Sequence, residues 1–403
     1  MESINRTQLF RAACLSLLVT SLSFGIRAGI LNKLGTDFQL DKAQLGSITA
    51  TAFWGFPLAV VFGGVIVDLI GMKRLLVLAF VFHLAGILLT VFAQGYWTLF
   101  LSTLLIGLAN GTVEAACNPL VTALYPDNKT TKLNHFHLWF PGGIVIGTLI
   151  VLLLNKINIG WQVQVGVMLI PTLIYGYLFS KLNFPVTERV ASGVSTAGMY
   201  KALWNPLFIF MFICMFGTAI TELFTGQWID VLLKNVTDNA ILILTLDTGV
   251  MVIGRGFAKP VLKLFPPQVL LLISTTLAAL GIYLLSTVTG PAIYGAAIIF
   301  GMGVCYFWPT MLGFVNENLP KTGALGLNLM GGAGMFAVSI YTVFMGSYYD
   351  NIVKEANGDN SFAGQKILQT TLVIPLVLIV AFGGLVIYMR SKNKTQPLAN
   401  PAV

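Results

Sequence analysis

A single carboxylate lies in the middle of a long apolar stretch of this sequence. Glu114 falls inside the run 96–124, which is long enough to cross a lipid bilayer. An ionised carboxylate is costly at that depth, so it normally faces a partner or a watery cavity. The predicted helix places three small or polar residues on the same face, namely Gly107, Gly111 and Asn118. This face is a candidate solute site near the bilayer midplane. The alternative is a protonated Glu114 that joins two helices.

Pro119 follows this polar face and changes the backbone of the same stretch. Proline has no N–H, so the carbonyl one turn earlier loses its helical hydrogen-bond partner. The glycines of the face allow a neighbouring helix or a ligand to come close. We therefore predict a proline-broken helix with a notch for a solute.

The seventh apolar stretch carries a second polar set. Glu222 is a second candidate for a titratable group, and Gln227 offers both a donor and an acceptor. The indole of Trp228 could stack on a sugar ring, although an interfacial position is at least as reasonable. On a straight helix Glu222 and Gln227 are about 140° apart, so both face one cavity only if the helix breaks near Gly226.

Arg27 brings a permanent positive charge into the first apolar stretch. A guanidinium does not lose its proton in a protein, so a buried one needs an anionic partner. Glu114, Glu222 or a carboxylate-bearing solute could be that partner. In the alternative interpretation, the side chain reaches water at the outer end of the helix.

Asn134 and His137 lie one turn apart at the inner end of the fifth stretch. A histidine there could titrate near neutral pH, which makes the two residues candidates for solute binding or coupling. Because His135 also lies close to a basic loop, an interfacial role for the histidines is the alternative.

The composition indicates which class of protein positions these residues. The chain has 403 residues, of which 56% are hydrophobic and only 9% charged, and its mean hydropathy is +0.85. These values are typical of a polytopic membrane protein, with the lipid bilayer as its surroundings. The net charge of +8 does not indicate nucleic-acid binding, because the basic residues fall between apolar stretches. The sequence has no nucleotide-binding loop, metal cluster or nucleophile arrangement. We therefore expect neither an enzyme nor a cofactor or metal.

Twelve apolar runs can be counted. They centre on Ser21, Phe56, Leu84, Gly107, Thr148, Ile170, Met215, Val250, Thr275, Gly301, Ala337 and Leu378. A polar segment, residues 183–203, separates the first six runs from the last six. The prediction is an all-α integral membrane protein of twelve transmembrane helices, with six-helix bundles at 1–182 and 204–392 and a cytoplasmic tail at 393–403.

The basic residues and an internal repeat orient these helices. With both termini inside, the inner segments hold 15 of the 23 basic residues and the outer segments hold 6, which predicts cytoplasmic termini. Pro119 precedes Lys132 by 13 residues, and Pro309 precedes Lys321 by 12. A Gly-Gly pair follows each lysine inside the next span. Such a repeat predicts a site between the halves, near the midplane.

The loop after the second run reads Gly64-Val-Ile-Val-Asp68-Leu-Ile-Gly71-Met-Lys73-Arg74. An acid and two bases at the inner face could latch neighbouring helix ends, although basic loops are also common by themselves. The loop resembles the major facilitator superfamily signature Gly-x3-Asp-Arg-x-Gly-Arg-Arg, with Leu69 and Met72 in place of two arginines. Gly254-Arg255 resembles a fainter copy in the second half, so we assign Arg255 to the same latch.

Within that superfamily the chain resembles the fucose permease-type sugar:proton symporters. The segment 114–122, Glu-Ala-Ala-Cys-Asn-Pro-Leu-Val-Thr, is similar to their Glu-Thr-Ala-Ala-Asn-Pro-Phe-Val-Thr. Further similar segments are Lys132-Leu-Asn134, Gly254-Arg255 and Trp308-Pro309-Thr310, the last matching their Tyr-Pro-Thr. The resemblance implies the major facilitator fold, a sugar-binding role for Glu114 and a candidate site residue at Trp308.

The sequence also departs from that family. The family aspartate that takes the coupling proton aligns with Ala28, beside Arg27, and a family glutamine and asparagine become His137 and Phe140. We expect a monomeric secondary transporter in a bacterial inner membrane that moves a monosaccharide by proton-coupled alternating access. The alternatives are a transporter of organic anions or amino-acid-like solutes with Arg27 as the anion clamp, and a non-transporting receptor of the same fold.

Overall fold

The structure is a computed structural model that describes residues 4–225 and 240–395. Within these two ranges the chain is largely helical and contains no β-strand. Eleven of the described helices are long and apolar enough to cross a membrane. Ala240–Gly256 begins at the edge of the second described range and belongs to the eighth of the twelve spans. The chain is therefore an all-α integral membrane protein of twelve spans, as its apolar runs predict.

The first six spans form the first bundle. Its helices are Arg6–Asp37, Lys42–Ile70, Met72–Val91, Tyr96–Leu124, Lys129–His137 with Trp139–Lys156, and Trp161–Gly166 with Leu169–Lys181. Side chains cap the first two helices: Asn5 accepts a hydrogen bond from the N–H of Gln8 at 3.0 Å, and Asp41 forms a capping box with Gln44. Helices satisfy their backbone polar groups internally, which a lipid environment requires, except where a proline removes a donor.

The last six spans form the second bundle. Its helices are Pro206–Ala219 with the π-helical turn Ile220–Phe224, Ala240–Gly256 with Ala258–Leu264, Pro267–Thr287, Ala292–Val304 with Phe307–Asn318, Gly323–Glu355, and Asn360–Thr395. Two sets of contacts join the bundles along their length: the second span packs against the eleventh, and the fifth against the eighth. The polar stretches of both halves therefore meet at one interface.

A connecting segment between the bundles, residues 183–203, carries the short helices Glu188–Ala191 and Thr196–Leu203. It docks on the inter-helix turns of the first bundle, where Lys73 Nζ donates to the Leu182 carbonyl at 3.0 Å and Lys129 pairs with Glu188 at 2.6 Å. We call this end of the molecule, which contains the connecting segment and these turns, the basic end.

The signature loop lies at the basic end, where its Lys73 bonds to Leu182, the residue that caps the end of the helix Leu169–Lys181. The Asp68 carboxylate accepts hydrogen bonds from Thr187 and from Arg189 Nε, the latter at 2.5 Å, so it pairs with the start of the short helix Glu188–Ala191 in the connecting segment. Gly71 has a φ of +85°, which favours glycine and allows the sharp turn between the second and third spans. Arg74 is exposed.

Beside this loop, the backbones of the second and eleventh spans come close together and join the two bundles. A Cβ on Gly64 would lie 2.6 Å from the Cβ of Asn328, so only glycine lets the second and eleventh spans come this close. Nearby, the N–H and the hydroxyl of Thr130 both donate to Glu317 Oε1, at 3.1 and 2.6 Å. The two halves are therefore in contact at the basic end.

Candidate functional site

A pocket between the two bundles collects several of the predicted side chains. The first bundle lines it with Phe24, Phe56, Glu114, His137 and Phe140, and the second with Glu222, Leu223, Arg255, Trp308 and Met335. Its volume is about 30 Å³, enough for one or two water molecules. Small-molecule sites commonly measure about 300–1,000 Å³. In this conformation the pocket is therefore much smaller than such sites.

The first bundle contributes a chain of three polar side chains. Asn118 Nδ2 donates to Glu114 Oε2 at 2.7 Å, which leaves the amide oxygen of Asn118 facing His137 Nε2 at 3.0 Å. That oxygen is only an acceptor, so Nε2 carries the imidazole proton. His137 Nδ1 lies 3.8 Å from Glu114 Oε1, too far for a hydrogen bond but close enough for an ion pair if the ring gains a second proton.

Arg255 occupies the centre of the pocket's second half. Its three nitrogens donate to three different groups: Nη2 to Glu222 Oε1 at 2.8 Å, Nη1 to the His137 carbonyl at 2.9 Å, and Nε to the Cys305 carbonyl at 2.6 Å. The side chain is only 1% exposed. The predicted latch role of Arg255 is wrong, because its long side chain extends from the end of its helix into the pocket.

Glu222 reaches Arg255 from an irregular part of the seventh span. The turn Ile220–Phe224 is π-helical, a rare geometry that is frequent at functional sites. Glu222 is 6% exposed, and its Oε2 has no hydrogen-bond partner among the described residues. Glu222 lines the pocket together with Trp308, which is 7% exposed.

The prolines of the fourth and tenth spans each leave one carbonyl without its helical donor. Pro119 frees the Ala115 carbonyl, which instead accepts a hydrogen bond from Asn328 Nδ2 at 2.9 Å. Pro309 frees the Cys305 carbonyl, which is the acceptor of Arg255 Nε. The helix break predicted at Pro119 is not found. The tenth span, in contrast, is interrupted at residues 305–306, just before Pro309. The fourth span continues through Pro119 because a side chain satisfies the freed carbonyl.

The glycines of the Glu114 face serve helix packing. A Cβ on Gly107 would lie 2.8 Å from the Cα of Ala52, and one on Gly111 would overlap the Phe56 carbonyl. These positions bring the second and fourth spans together, so the notch is filled by a helix and not by solute space.

Two predicted site residues lie away from the pocket. Arg27 lines a separate small cavity inside the first bundle, and within the described ranges it forms no ion pair with Glu114 or Glu222. Glu222 has Arg255 instead, which explains why that predicted pairing is absent from this conformation. Asn134 donates to the Thr310 hydroxyl at 3.4 Å and so belongs to the contact between the bundles. Gln227 and Trp228, with the helix break predicted near Gly226, lie outside the described residues.

Sequence reasoning missed Asn328 and Glu317, which join the halves. A signal for Asn328 was present, because the carbonyl freed by Pro119 needs a donor and Asn328 is the amide in an otherwise small and apolar part of the eleventh span. Glu317 lies one turn before a basic loop and looks like an ordinary loop charge. Nothing in its local sequence predicts its bonds to Thr130.

Comparison with known proteins agrees with this architecture. The family model described as "Major Facilitator Superfamily" matches residues 13–340. Among solved structures, FucP, a Major Facilitator Superfamily transporter captured in the outward conformation, aligns with a TM-score of 0.74 at 17% sequence identity. That alignment covers 93% of this chain and 98% of FucP. At this identity the likeness shows the fold.

Two curated relatives align over a smaller share of this chain. The solute carrier family 2 facilitated glucose transporter member 10 of Xenopus laevis is 27% identical over 172 residues, 42% of this chain and 31% of that protein. The match therefore spans about a third of that relative's length. The probable sugar efflux transporter of Haemophilus influenzae is 21% identical over 318 residues, 75% of this chain and 77% of the relative. Because the family model covers most of the sequence, the chain belongs to the Major Facilitator Superfamily and is a membrane transporter rather than an enzyme.

Proposed function

We propose that this transporter moves a monosaccharide by alternating access, driven by a proton gradient. The observation that carries the proposal is the pocket between the bundles, in which acceptors and donors from both halves face aromatic rings. Glu114 and His137 stand on one side, Glu222 and Arg255 on the other, with Trp308 at the wall. Hydroxyl groups need such donors and acceptors, and the apolar face of a sugar ring suits an indole.

Contributions from both halves also support the alternating-access mechanism. A pocket whose wall is shared by two bundles opens to one side or the other when the bundles rotate about it. At the basic end the bundles touch through Glu317 and Thr130. These contacts must break when that end opens. A single copy of the chain provides both halves of the pocket, which supports a monomer.

The distribution of charge supports the orientation. Lys73, Lys129 and Arg189 lie together at the basic end, which we place on the cytoplasmic side of a bacterial inner membrane. Both termini would then be cytoplasmic. The proton-coupled part of the proposal draws on the buried carboxyls of the pocket, because intramembrane carboxyls commonly form proton relays.

The organic-anion alternative has less support from the pocket. Arg255 is the cation within reach there, and each of its three nitrogens already donates to a protein carbonyl or carboxylate. Arg27 lies in a different cavity. An anionic solute would have to displace Glu222 before it could bind.

Counterflow in proteoliposomes tests the proposal. Vesicles loaded with unlabelled solute are diluted into a panel of labelled L-fucose, D-xylose, D-glucose and myo-inositol, with lactate and glutamate as anionic comparisons. We expect counterflow with at least one sugar, and accumulation of that sugar when an inward proton gradient is imposed. Counterflow with only the anions would overturn the sugar assignment. Sugar counterflow without gradient-driven accumulation would overturn proton coupling.

A further inference from the structure

Asp247 is a buried carboxyl that the pocket does not explain. It lies in the middle of the eighth span, Ala240–Gly256, and is 3% exposed. Its Oδ1 has no hydrogen-bond partner among the described residues, and none of the ion pairs found there includes Asp247.

The tenth span packs directly against Asp247. A Cβ on Gly301 of the tenth span would lie 2.8 Å from Asp247 Oδ1, so the neighbouring helix closes directly over the carboxyl. A buried carboxylate with neither cation nor donor is strongly unfavourable, and the usual response is to bind a proton.

No ionisable group of the described residues forms an ion pair with Asp247. Glu222 and Arg255 act on it electrostatically, and Arg255 donates all three nitrogens to other acceptors. The other titratable groups on the helices packed against the eighth span, or directly after them, are Lys129, Lys132, His135, His137, Lys156, Lys259, Lys263, Tyr294, Cys305 and Tyr306. The Tyr306 hydroxyl donates to the Gly254 carbonyl at 2.5 Å and is therefore occupied. Arg255 is the one permanent cation of this cluster within the described residues, and it serves Glu222.

We propose that Asp247 is the proton-carrying carboxyl of the transport cycle, protonated in the conformation described here and deprotonated after the bundles reorient. This inference rests on the proposed proton-coupled function. Loss of the proton would place a second negative charge beside the Arg255–Glu222 pair. The guanidinium would then be drawn away from the His137 carbonyl, its bond to the first bundle. The proton itself would leave to water admitted when the pocket widens.

A spectroscopic test needs no knowledge of the solute. The full-length protein in lipid is titrated with base while the infrared C=O absorption of protonated carboxyls is followed. Wild type should show such an absorption at neutral pH, and Asp247→Asn should lose one component of it. Asp247→Glu should keep a titrating component at a shifted frequency. Asp350→Asn, which changes an exposed aspartate, should match wild type. Full band intensity in a folded Asp247→Asn protein would overturn the proposal.

A transport measurement separates this inference from the proposed function. With the sugar that gives counterflow in wild type, Asp247→Asn should still exchange sugar but lose accumulation driven by a proton gradient. Wild-type accumulation in Asp247→Asn would overturn the role of Asp247 while leaving the proposed function intact. Failure of wild type to respond to the gradient would instead remove proton coupling itself, and the infrared result would still decide where the proton resides.

Discussion

The two halves of this transporter use the same backbone device with different chemistry. In the fourth span Pro119 frees the Ala115 carbonyl, and in the tenth span Pro309 frees the Cys305 carbonyl. A neutral amide, Asn328, satisfies the first at 2.9 Å. A guanidinium, Arg255, satisfies the second at 2.6 Å.

The bond of Asn328 is between neutral groups, whereas the bonds of Arg255 depend on its charge. The Asn328 bond crosses from the second bundle to the first, and no protonation event alters its partners. The Arg255 bonds depend on a charge that Glu222 neutralises, and one of them also crosses to the first bundle at His137. We infer that, of these two contacts between the halves, the Asn328 bond is indifferent to pH and the Arg255–His137 bond responds to it.

We expect the largest loss of stability and transport when the charge-dependent contact between Arg255 and Glu222 is broken. Arg255→Met leaves Glu222 buried without its cation, and breaking a buried pair from one side costs roughly 3–5 kcal/mol. We expect a lower thermal unfolding midpoint in detergent and no transport. The double variant Arg255→Met/Glu222→Gln removes both charges and should recover most of the midpoint but not the transport. If the double variant is as unstable as the single one, the charge pair is not the source of the stability.

Removing the neutral Asn328 contact should lower the unfolding midpoint less, and a second substitution at Pro119 should restore most of the loss. Asn328→Ala leaves the Ala115 carbonyl buried and unpaired, at a cost of about 1–3 kcal/mol. Pro119→Ala restores a backbone N–H that can bond to this carbonyl. In the Pro119→Ala background, Asn328→Ala should therefore lower the unfolding midpoint much less.

Asn318→Ala is the matched control for that cycle, because Asn318 donates to the Phe314 carbonyl of its own helix at 2.9 Å. Asn318→Ala should change the unfolding midpoint by the same amount in the wild-type and Pro119→Ala backgrounds. Equal costs for Asn328→Ala with and without Pro119 would show that the freed carbonyl is not what Asn328 serves.

The sequence predicted some of the residues in these contacts and not others. The depth of Glu114 in its apolar run indicated a buried polar site, and Pro119 indicated an unpaired carbonyl, since both follow from local rules. The donor for that carbonyl lies 213 residues away, and only the packing of the second and eleventh spans brings it there. Local sequence does not specify such a contact.

Arg255 shows a different limit. Its place after Gly254 resembles the signature loop of the first half, which suggested a latch at the membrane surface. An arginine side chain is long, however, and its direction along the helix decides which groups it reaches. The carbonyls of His137 and Cys305 draw it inward, and neither is visible in a linear pattern. The count of twelve spans depended only on run length and was predicted correctly.

Glu317 offers a milder way to weaken the contact between the halves. Its carboxylate accepts two hydrogen bonds from Thr130 at the start of the helix Lys129–His137, and loss of such a cap costs about 0.5–2 kcal/mol. Glu317→Ala should let the basic end open more often. A cysteine at Thr310, in a background without the native cysteines, should then react faster with a water-soluble maleimide. Glu355→Ala, an exposed control, should leave that rate unchanged.

The smallest effect is expected at an exposed ion pair far from the pocket. Lys33, and then the Trp161 N–H at 2.9 Å, lower the pKa of Asp37 below its ordinary value. A lowered folded pKa stabilises the protein at neutral pH, and that stabilisation is lost as the pH falls through the folded value. Asp37→Asn should therefore lower the unfolding midpoint slightly at neutral pH, and the difference should vanish in acid. A difference that grows in acid would contradict the direction of this pKa shift.

The central claim is that Glu114 takes part in a solute pocket shared by the two halves. Its most direct test is accumulation of the counterflow-active sugar by proteoliposomes containing Glu114→Gln. We expect Glu114→Gln to lose accumulation against a gradient while keeping an unfolding midpoint close to that of wild type, because glutamine can still accept the hydrogen bond from Asn118. Glu355→Gln, at an exposed position, should accumulate the sugar normally. Unchanged accumulation in Glu114→Gln would contradict the account and remove Glu114 from the site.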